Sequence, residues 1–426
     1  MTDEAPFVTV VVPTRDRPDL VRYCLESLAL QTLRDFEVIV SDNYIEKPCK
    51  TVFDEFSDER FRYVRPPAPL AMHDNWEFAC NLARGRYVAV LIDKTVLRPS
   101  ALHVMHAALK MKPAEIVSWW NEAFVPFDEI VGYGAGRYFQ STDRPRAPYY
   151  FDPKKELIRR FSLDVRRGTE GVHYYWGKIC FGAYHQDLIS RIKQSTGRLF
   201  YPITPDYTSM VAALAYAKSA LDIGQPLLIS LQIKGSTGRS VAERDDYALA
   251  FIKNIDPSLQ LMNAMPIRGL YASHHNLVAT DYVLMQRRIG EPMRNLKLNM
   301  QNLIRRTKED LDLRTTWHDS STKREQYEIW SRHRSKLLLP SRLRYRGFVS
   351  RTRLARSGRR CSYCTKSFVR KHMTLVLPLY KRTRSAVMPH RRNSARTKTL
   401  DSVIEATIYA DKCYGTTPSK NTSTYV

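Results

Sequence analysis

Asp42 and Asp93 each close an apolar run, the first after Phe36 to Val40 and the second at the end of RYVAVLID (86–93). A carboxylate at the tip of a buried strand sits at the carboxyl edge of a sheet, where open α/β sheets bind their ligands. With Lys94 beside Asp93, one crevice would offer two acceptors and a cation to a polar ligand. A third carboxylate, Asp206, follows Pro205 in YPITPDYTSM (201–210), just ahead of the helical run VAALAYAKSAL (211–221). It is either an exposed group at a helix amino end, able to take a proton, or merely the cap of that helix. KGSTGRS (234–240) reads as a glycine-bearing loop whose backbone N–H groups, Lys234 and Arg239 suit phosphate. Asp42 and Asn43 are also ordinary turn residues, so type alone does not settle their role.

The elements that must position these groups are legible in the apolar spacing. Phe7 to Val12 is too short for a helix and is followed by Pro13, which reads as a buried parallel strand. Asp16 or Arg17 leads to Pro18 at a first helical position, and Leu20, Cys24, Leu28 and Gln31 follow at three- and four-residue spacing. Phe36 to Val40 is the next strand. This βαβ unit sets the loops Pro13–Arg17 and Ser41–Asn43 side by side. Asp74 as cap, with Glu77 three residues on, predicts a helix over 75–84 that Gly85 ends. Further on, PLLISLQI (226–233) reads as a strand, while VSWWNEAF (117–124) and VHYYWGKICFGAYH (172–185) are aromatic-dense core segments that could also form an acceptor platform.

Taken in order, VVPTRDRPDLVRYCLESLALQTLRDFEVIVSDN (11–43), Asn75-Trp76-Glu77, Ala83-Arg84-Gly85-Arg86-Tyr87 and Ile92-Asp93-Lys94 before Leu97 and Pro99 resemble the inverting family 2 glycosyltransferases of GT-A fold, over roughly residues 7–245. The resemblance implies an α/β, Rossmann-like, mixed but mainly parallel sheet flanked by helices. It implies a nucleoside diphosphate sugar donor and a glycan or lipid-linked acceptor, as in bacterial polysaccharide assembly. Pro13, Thr14, Arg15 and Asn75 would line the nucleotide-sugar pocket, Asp42 would read the base, and Asp93 would lie at the ribose and diphosphate. Asp206 would be the general base, with Asp187, Asp222 and Asp245-Asp246 as weaker competitors. In the family the later of two to four acidic residues holds a divalent cation, Mg²⁺ or Mn²⁺, which here would fall to Asp93. Ile92 and Lys94 stand where those acidic neighbours belong, which weighs against the metal, and Lys94 could neutralise the diphosphate instead.

Length and charge bound the rest. A chain of 426 residues is expected to hold the sheet domain (1–245), a helical extension (246–340) and a basic, partly disordered tail (341–426). Residues 331–400 carry 21 Lys and Arg and no Asp or Glu, so that stretch accounts for most of the net charge of +24. Such a segment suits peripheral contact with an anionic membrane; nucleic acid is the less favoured partner. The runs 268–288 and 293–313 have helical apolar spacing, and His274-His275 on a helix point too far apart to share an ion. Cys361 and Cys364 have the gap of a zinc knuckle but lack a second pair. Seven scattered cysteines, an acidic amino terminus and no long apolar run point to a cytoplasmic protein without a transmembrane helix. The alternative of a different class is a catalytically inactive scaffold of the same fold, or a nucleic-acid-binding protein, working through the basic tail.

Overall fold

The computed structural model describes residues 5–128, 134–141, 143–163, 174–335 and 396–419. Four strands form the half of the sheet that matters most here: β1 (Val8–Thr14), β2 (Phe36–Asp42), β3 (Phe61–Val64) and β4 (Tyr87–Val90). They lie side by side in the order β3-β2-β1-β4, all parallel. Their connections carry α1 (Pro18–Ala29), α2 (Lys50–Phe53) and α3 (Met72–Asn81). Every residue of β1 and β2 is buried, because both faces are covered. Val8, Val10 and Val12 point to the side packed by Val21, Cys24, Leu25 and Leu28 of α1, while Val11 points to Trp76 and Ala79 of α3. Burying each such aliphatic side chain contributes roughly 1.5–3 kcal/mol before the entropy of ordering is counted.

The bracket that joins these strands explains the Arg84-Gly85 signature. The Thr9 hydroxyl donates to Glu37 at 2.6 Å, and Arg84 gives the same carboxylate its backbone N–H and two guanidinium bonds. Gly85 passes so close to β1 that a Cβ there would lie 2.4 Å from the Thr9 nitrogen. A side chain would push β4 off β1.

Beyond β4 the chain adds β5 (Thr95–Leu97), α4 (Ala101–Met111), β6 (Ile116–Pro126), β7 (Gly136–Gln140), β8 (Tyr149–Phe151), α5 (Pro153–Ser162), β9 (Gly182–His185) and α6 (Gln186–Thr196). Next come α7 (Pro205–Tyr216) and β10 (Ala220–Leu231), the latter parallel to β6 and antiparallel to β5 and β8. The architecture is therefore the expected α/β one, a mixed sheet whose amino-terminal half is parallel. Helices α8 (Thr237–Glu243), α9 (Asp245–Ile255), α10 (Leu261–Ala264), α11 (His274–Ile289), α12 (Met300–Leu313) and α13 (Ser320–Ser335) form the extension, with α11 packed on α7 and α12 on α11.

Some local expectations change. Helix α3 starts three residues before 75, on Ala71 with no side-chain cap. Asp74 and Glu77 are drawn off by tertiary partners: Asp74 pairs with Arg198 at 2.6 Å, and Glu77 accepts the backbone N–H groups of Leu199 and Phe200. The stretch read as a loop over 234–240 winds into α8 from Thr237 onward, and Arg239 faces Glu243 one turn along. The largest difference is at the carboxyl end. Residues 396–414, placed by sequence in the basic tail, form β11 (Arg396–Leu400) and α14 (Val403–Tyr414). Strand β11 pairs antiparallel with β7, and Val403, Ala406 and Ala410 of α14 share a core with Leu20, Phe124 and Ile229. The five described cysteines are unpaired, and no helix among the described residues is long and apolar enough to cross a membrane. Cys361 and Cys364, and most of the basic stretch 331–400, lie outside the described residues.

Candidate active site

Strand register brings the two carboxylates together. Thr14 lies opposite Asp42 in the β1–β2 ladder, and the Leu91 N–H, bonded to the Val11 carbonyl at 2.8 Å, carries the end of β4 along β1. The Thr14 hydroxyl then donates to Asp93 Oδ2 at 3.2 Å. Asp42 is fully buried; its Oδ2 accepts the Cys49 N–H at 2.7 Å and the Tyr63 hydroxyl at 2.8 Å, whereas its Oδ1 has no partner. A buried carboxylate oxygen without a donor is costly.

The neighbouring loops are braced. Pro13 continues β1 opposite Ser41. Arg15 donates to the backbone carbonyls of Asn43 and Leu70, and the Asn43 carboxamide exchanges two bonds with the Leu70 backbone. Asp16, with φ of 55°, accepts N–H groups from Ile45, Glu46 and Lys47, which ties the β1–α1 loop to the loop after β2. Asn75 is buried behind this edge and accepts the Ser41 hydroxyl at 2.7 Å. Its carboxamide supports the strand that carries Asp42.

Around Asp93 the cations outnumber the carboxylates. Arg17 reaches Asp93 Oδ1 at 3.4 Å through one nitrogen and the Gly235 carbonyl at 2.8 Å through another, spanning the crevice. Lys94 is half-buried, and its ammonium makes no hydrogen bond or ion pair with the described residues. Burial lowers its pKa; Asp93 opposes that and Arg17 adds to it.

The facing wall is built from residues far apart in the sequence. Asp206 occupies the first turn of α7 while Thr204 holds the cap position, so the carboxylate is not the helix cap. Its Oδ2 lies 3.4 Å from the Lys178 ammonium, with side-chain exposures of 24% and 1% respectively. Lys178 is held over the rings of Tyr207 and Tyr174, at 3.7 and 4.2 Å from their centroids. Burial works against its charge, and Tyr174, Tyr207 and Asp206 more than offset this, holding it above the usual lysine range. Asp281 of α11 accepts the Ile203 and Thr204 N–H groups and the Thr204 hydroxyl, fixing the entry to α7. Burial pushes the Asp281 carboxyl up to about 7. Tyr174 and Cys180 connect the two walls electrostatically: Tyr174 acts on both Lys94 and Lys178, and the Cys180 thiol senses Asp206, Lys178 and Lys94.

The competing carboxylates are engaged elsewhere. Asp222 is buried under the Tyr149 hydroxyl and the Trp176 indole N–H; Asp245 accepts the His318 N–H; Asp246 pairs with Arg244, and Asp187 faces His185. A divalent cation fits the donor set poorly. Asp93 has Ile92 and Lys94, not carboxylates, on either side of it in the chain, both its oxygens are engaged, and among the described residues no three His, Cys, Asp or Glu side chains gather to hold a metal. His275 turns to Asp310 at 2.9 Å and His274 packs on the Tyr207 ring, so this pair does not converge on one ion.

With this geometry in place, residues 9–169 match the family model described as Glycosyl transferase family 2. Over those residues the chain is similar to family 2 glycosyltransferases. An uncharacterized glycosyltransferase of Methanocaldococcus jannaschii, MJ1057, is 30% identical over 103 residues, which cover 23% of this chain and 36% of that protein. The chain thus matches only about a third of that relative's length. Crystal structures of S. aureus TarS 1-349 are similar at 11% identity and a TM-score of 0.42. The complex with UDP-GlcNAc covers 72% of this chain and 80% of that one, and the complex with UDP covers 76% and 87%.

Sequence reading missed Arg17, Tyr63, Lys178, Tyr174 and Asp281. Arg17 could have been found, since a cation two residues past Thr14-Arg15 must project from the same loop. Lys178 and Asp281 carry no local signal, because only the packing of the turn after Lys178 and of α11 against α7 brings them to Asp206.

Proposed function

We propose that the chain moves a sugar from a nucleoside diphosphate sugar to a hydroxyl of a glycan or lipid-linked acceptor, with inversion. The observation that carries the reading is Asp42 Oδ1, buried and unpartnered at the sheet edge where Asp93 and Lys94 also emerge. In this reading Asp42 accepts an N–H of the base, Thr14 and Asp93 face the ribose and diphosphate, and Lys94 meets the phosphates. Asp206 takes the proton of the acceptor hydroxyl as its oxygen attacks the anomeric carbon from the side opposite the leaving group. The bond from that carbon to the diphosphate oxygen breaks, and the electron pair leaves on the nucleoside diphosphate. Asp206, partly exposed beside Lys178, is in keeping with this role. No step passes through a metal ion.

Peripheral contact of residues 331–400 with an anionic membrane belongs to the same proposal and would bring the site to a lipid-linked acceptor. The test is thermal stabilisation of the full chain by UDP, GDP, CDP and ADP, against RNA. A rise in Tm with at least one nucleoside diphosphate is expected; a rise with RNA alone would favour a nucleic-acid-binding protein.

A further inference from the structure

The surplus of positive charge beside Asp93 has a chemical meaning. One carboxylate meets two cations there: Arg17, which Asp93 and the Gly235 carbonyl hold across the crevice, and Lys94, which has no partner among the described residues. Ile92 and Lys94 occupy the positions flanking Asp93, so no second carboxylate stands ready to share a divalent ion with it. Together the guanidinium and the ammonium carry the two positive charges that such an ion would bring. A half-buried, unpaired ammonium beside another cation is unfavourable until an anion arrives, and an arginine fork and a lysine point charge both match phosphate oxygens. The lowering of the Lys94 pKa by burial and by Arg17 is in keeping with that surplus.

We propose that Arg17 and Lys94 together neutralise the donor diphosphate, and that this chain binds its nucleotide without a divalent cation. The inference rests on the reading of the crevice as a nucleoside diphosphate site. Asp93 is then a positioning residue for Arg17 as well as a ligand contact, and Gly235 lends its carbonyl to keep the guanidinium over the crevice.

Calorimetric titration of the full chain with UDP, GDP, CDP and ADP, once in excess EDTA and once in Mn²⁺, tests this. The wild type should bind the preferred diphosphate with a Kd equal within about twofold in the two buffers. Lys94→Met and Arg17→Met should each weaken that diphosphate about tenfold or more, as loss of a charge-assisted bond does, while the matching nucleoside binds as before. Binding that appears only with Mn²⁺, or an unchanged Kd in both variants, would overturn the cation pair and leave the crevice assignment standing. A folded wild type that binds no diphosphate in either buffer would instead overturn the crevice assignment itself.

Discussion

The two walls of the crevice are assembled in opposite ways. Thr14 and Asp42 end neighbouring strands in register, and Asp93 follows in the turn just past β4, all within the first 93 residues. The Asp206 side draws on residues spread over 104 positions, with Lys178 and Asp281 buried behind Asp206, and each depends on the packing of another. The carboxyl-terminal return is an extreme of the second kind. Asp411 of α14 bonds the backbone and hydroxyl of Ser100, 311 positions earlier, and Tyr414 bonds Glu122 across 292. A wall built from neighbouring strands is fixed by the folding of one local unit. A wall built from distant pieces holds only as long as each buried polar contact is satisfied.

That contrast can be broken or sharpened by substitution. Asp206→Asn should cut sugar transfer roughly a thousandfold, as loss of a general base does, while the Kd for nucleoside diphosphate stays put. A transfer rate near normal would remove Asp206 from the chemistry. Asp411→Ala should leave the fully buried Arg98, whose Nε lies 3.9 Å from Asp411, without its nearest carboxylate. A loss of about 3 kcal/mol in urea denaturation is expected. An unchanged midpoint would show that the return is not fastened there.

On the strand-built wall, Asp42→Asn should weaken nucleoside diphosphate about tenfold, because an amide N–H then faces one of the donors that Asp42 now accepts. Tyr63→Phe, which removes only one internal bond to Asp42, should weaken it far less. Equal losses would place the effect in the fold rather than in base recognition. The remaining test concerns Asp281. Its folded carboxyl titrates near 7 against an ordinary 3.8, so the folded state keeps a proton across an interval in which the unfolded chain has lost it. Stability from this group therefore falls as pH rises from about 4 to 7. Relative to Asp281→Asn, the wild type should lose a few degrees of Tm over that window; parallel Tm profiles would contradict the assignment.

What was legible in the sequence follows the same division. The run ending at Asp42 is strand β2, because period and burial are local properties; the run read as a strand over 86–93 holds β4 but stops at Val90, so Asp93 stands in the turn before β5 rather than on a strand tip. The start of α3 was misplaced because Asp74 and Glu77, a capping pair by spacing, answer to Arg198 and to the backbone at Leu199 and Phe200. The return of β11 and α14 was hidden by its basic neighbourhood: TKTL pairs with β7, and the small apolar stripe Val403, Ala406 and Ala410 is too weak to announce a buried helix. Lys178 could not be singled out, since nothing in ICF or its flanks foretells two tyrosine rings and a carboxylate around the ammonium.

A crystal structure of the full chain with its preferred nucleoside diphosphate, grown in EDTA, tests the central claim most directly. The expected result is a base N–H on Asp42 Oδ1 and diphosphate oxygens within hydrogen-bond distance of Lys94 and Arg17. A nucleotide bound elsewhere, or one seated with Asp42 Oδ1 still unpartnered and Lys94 turned away, would contradict it.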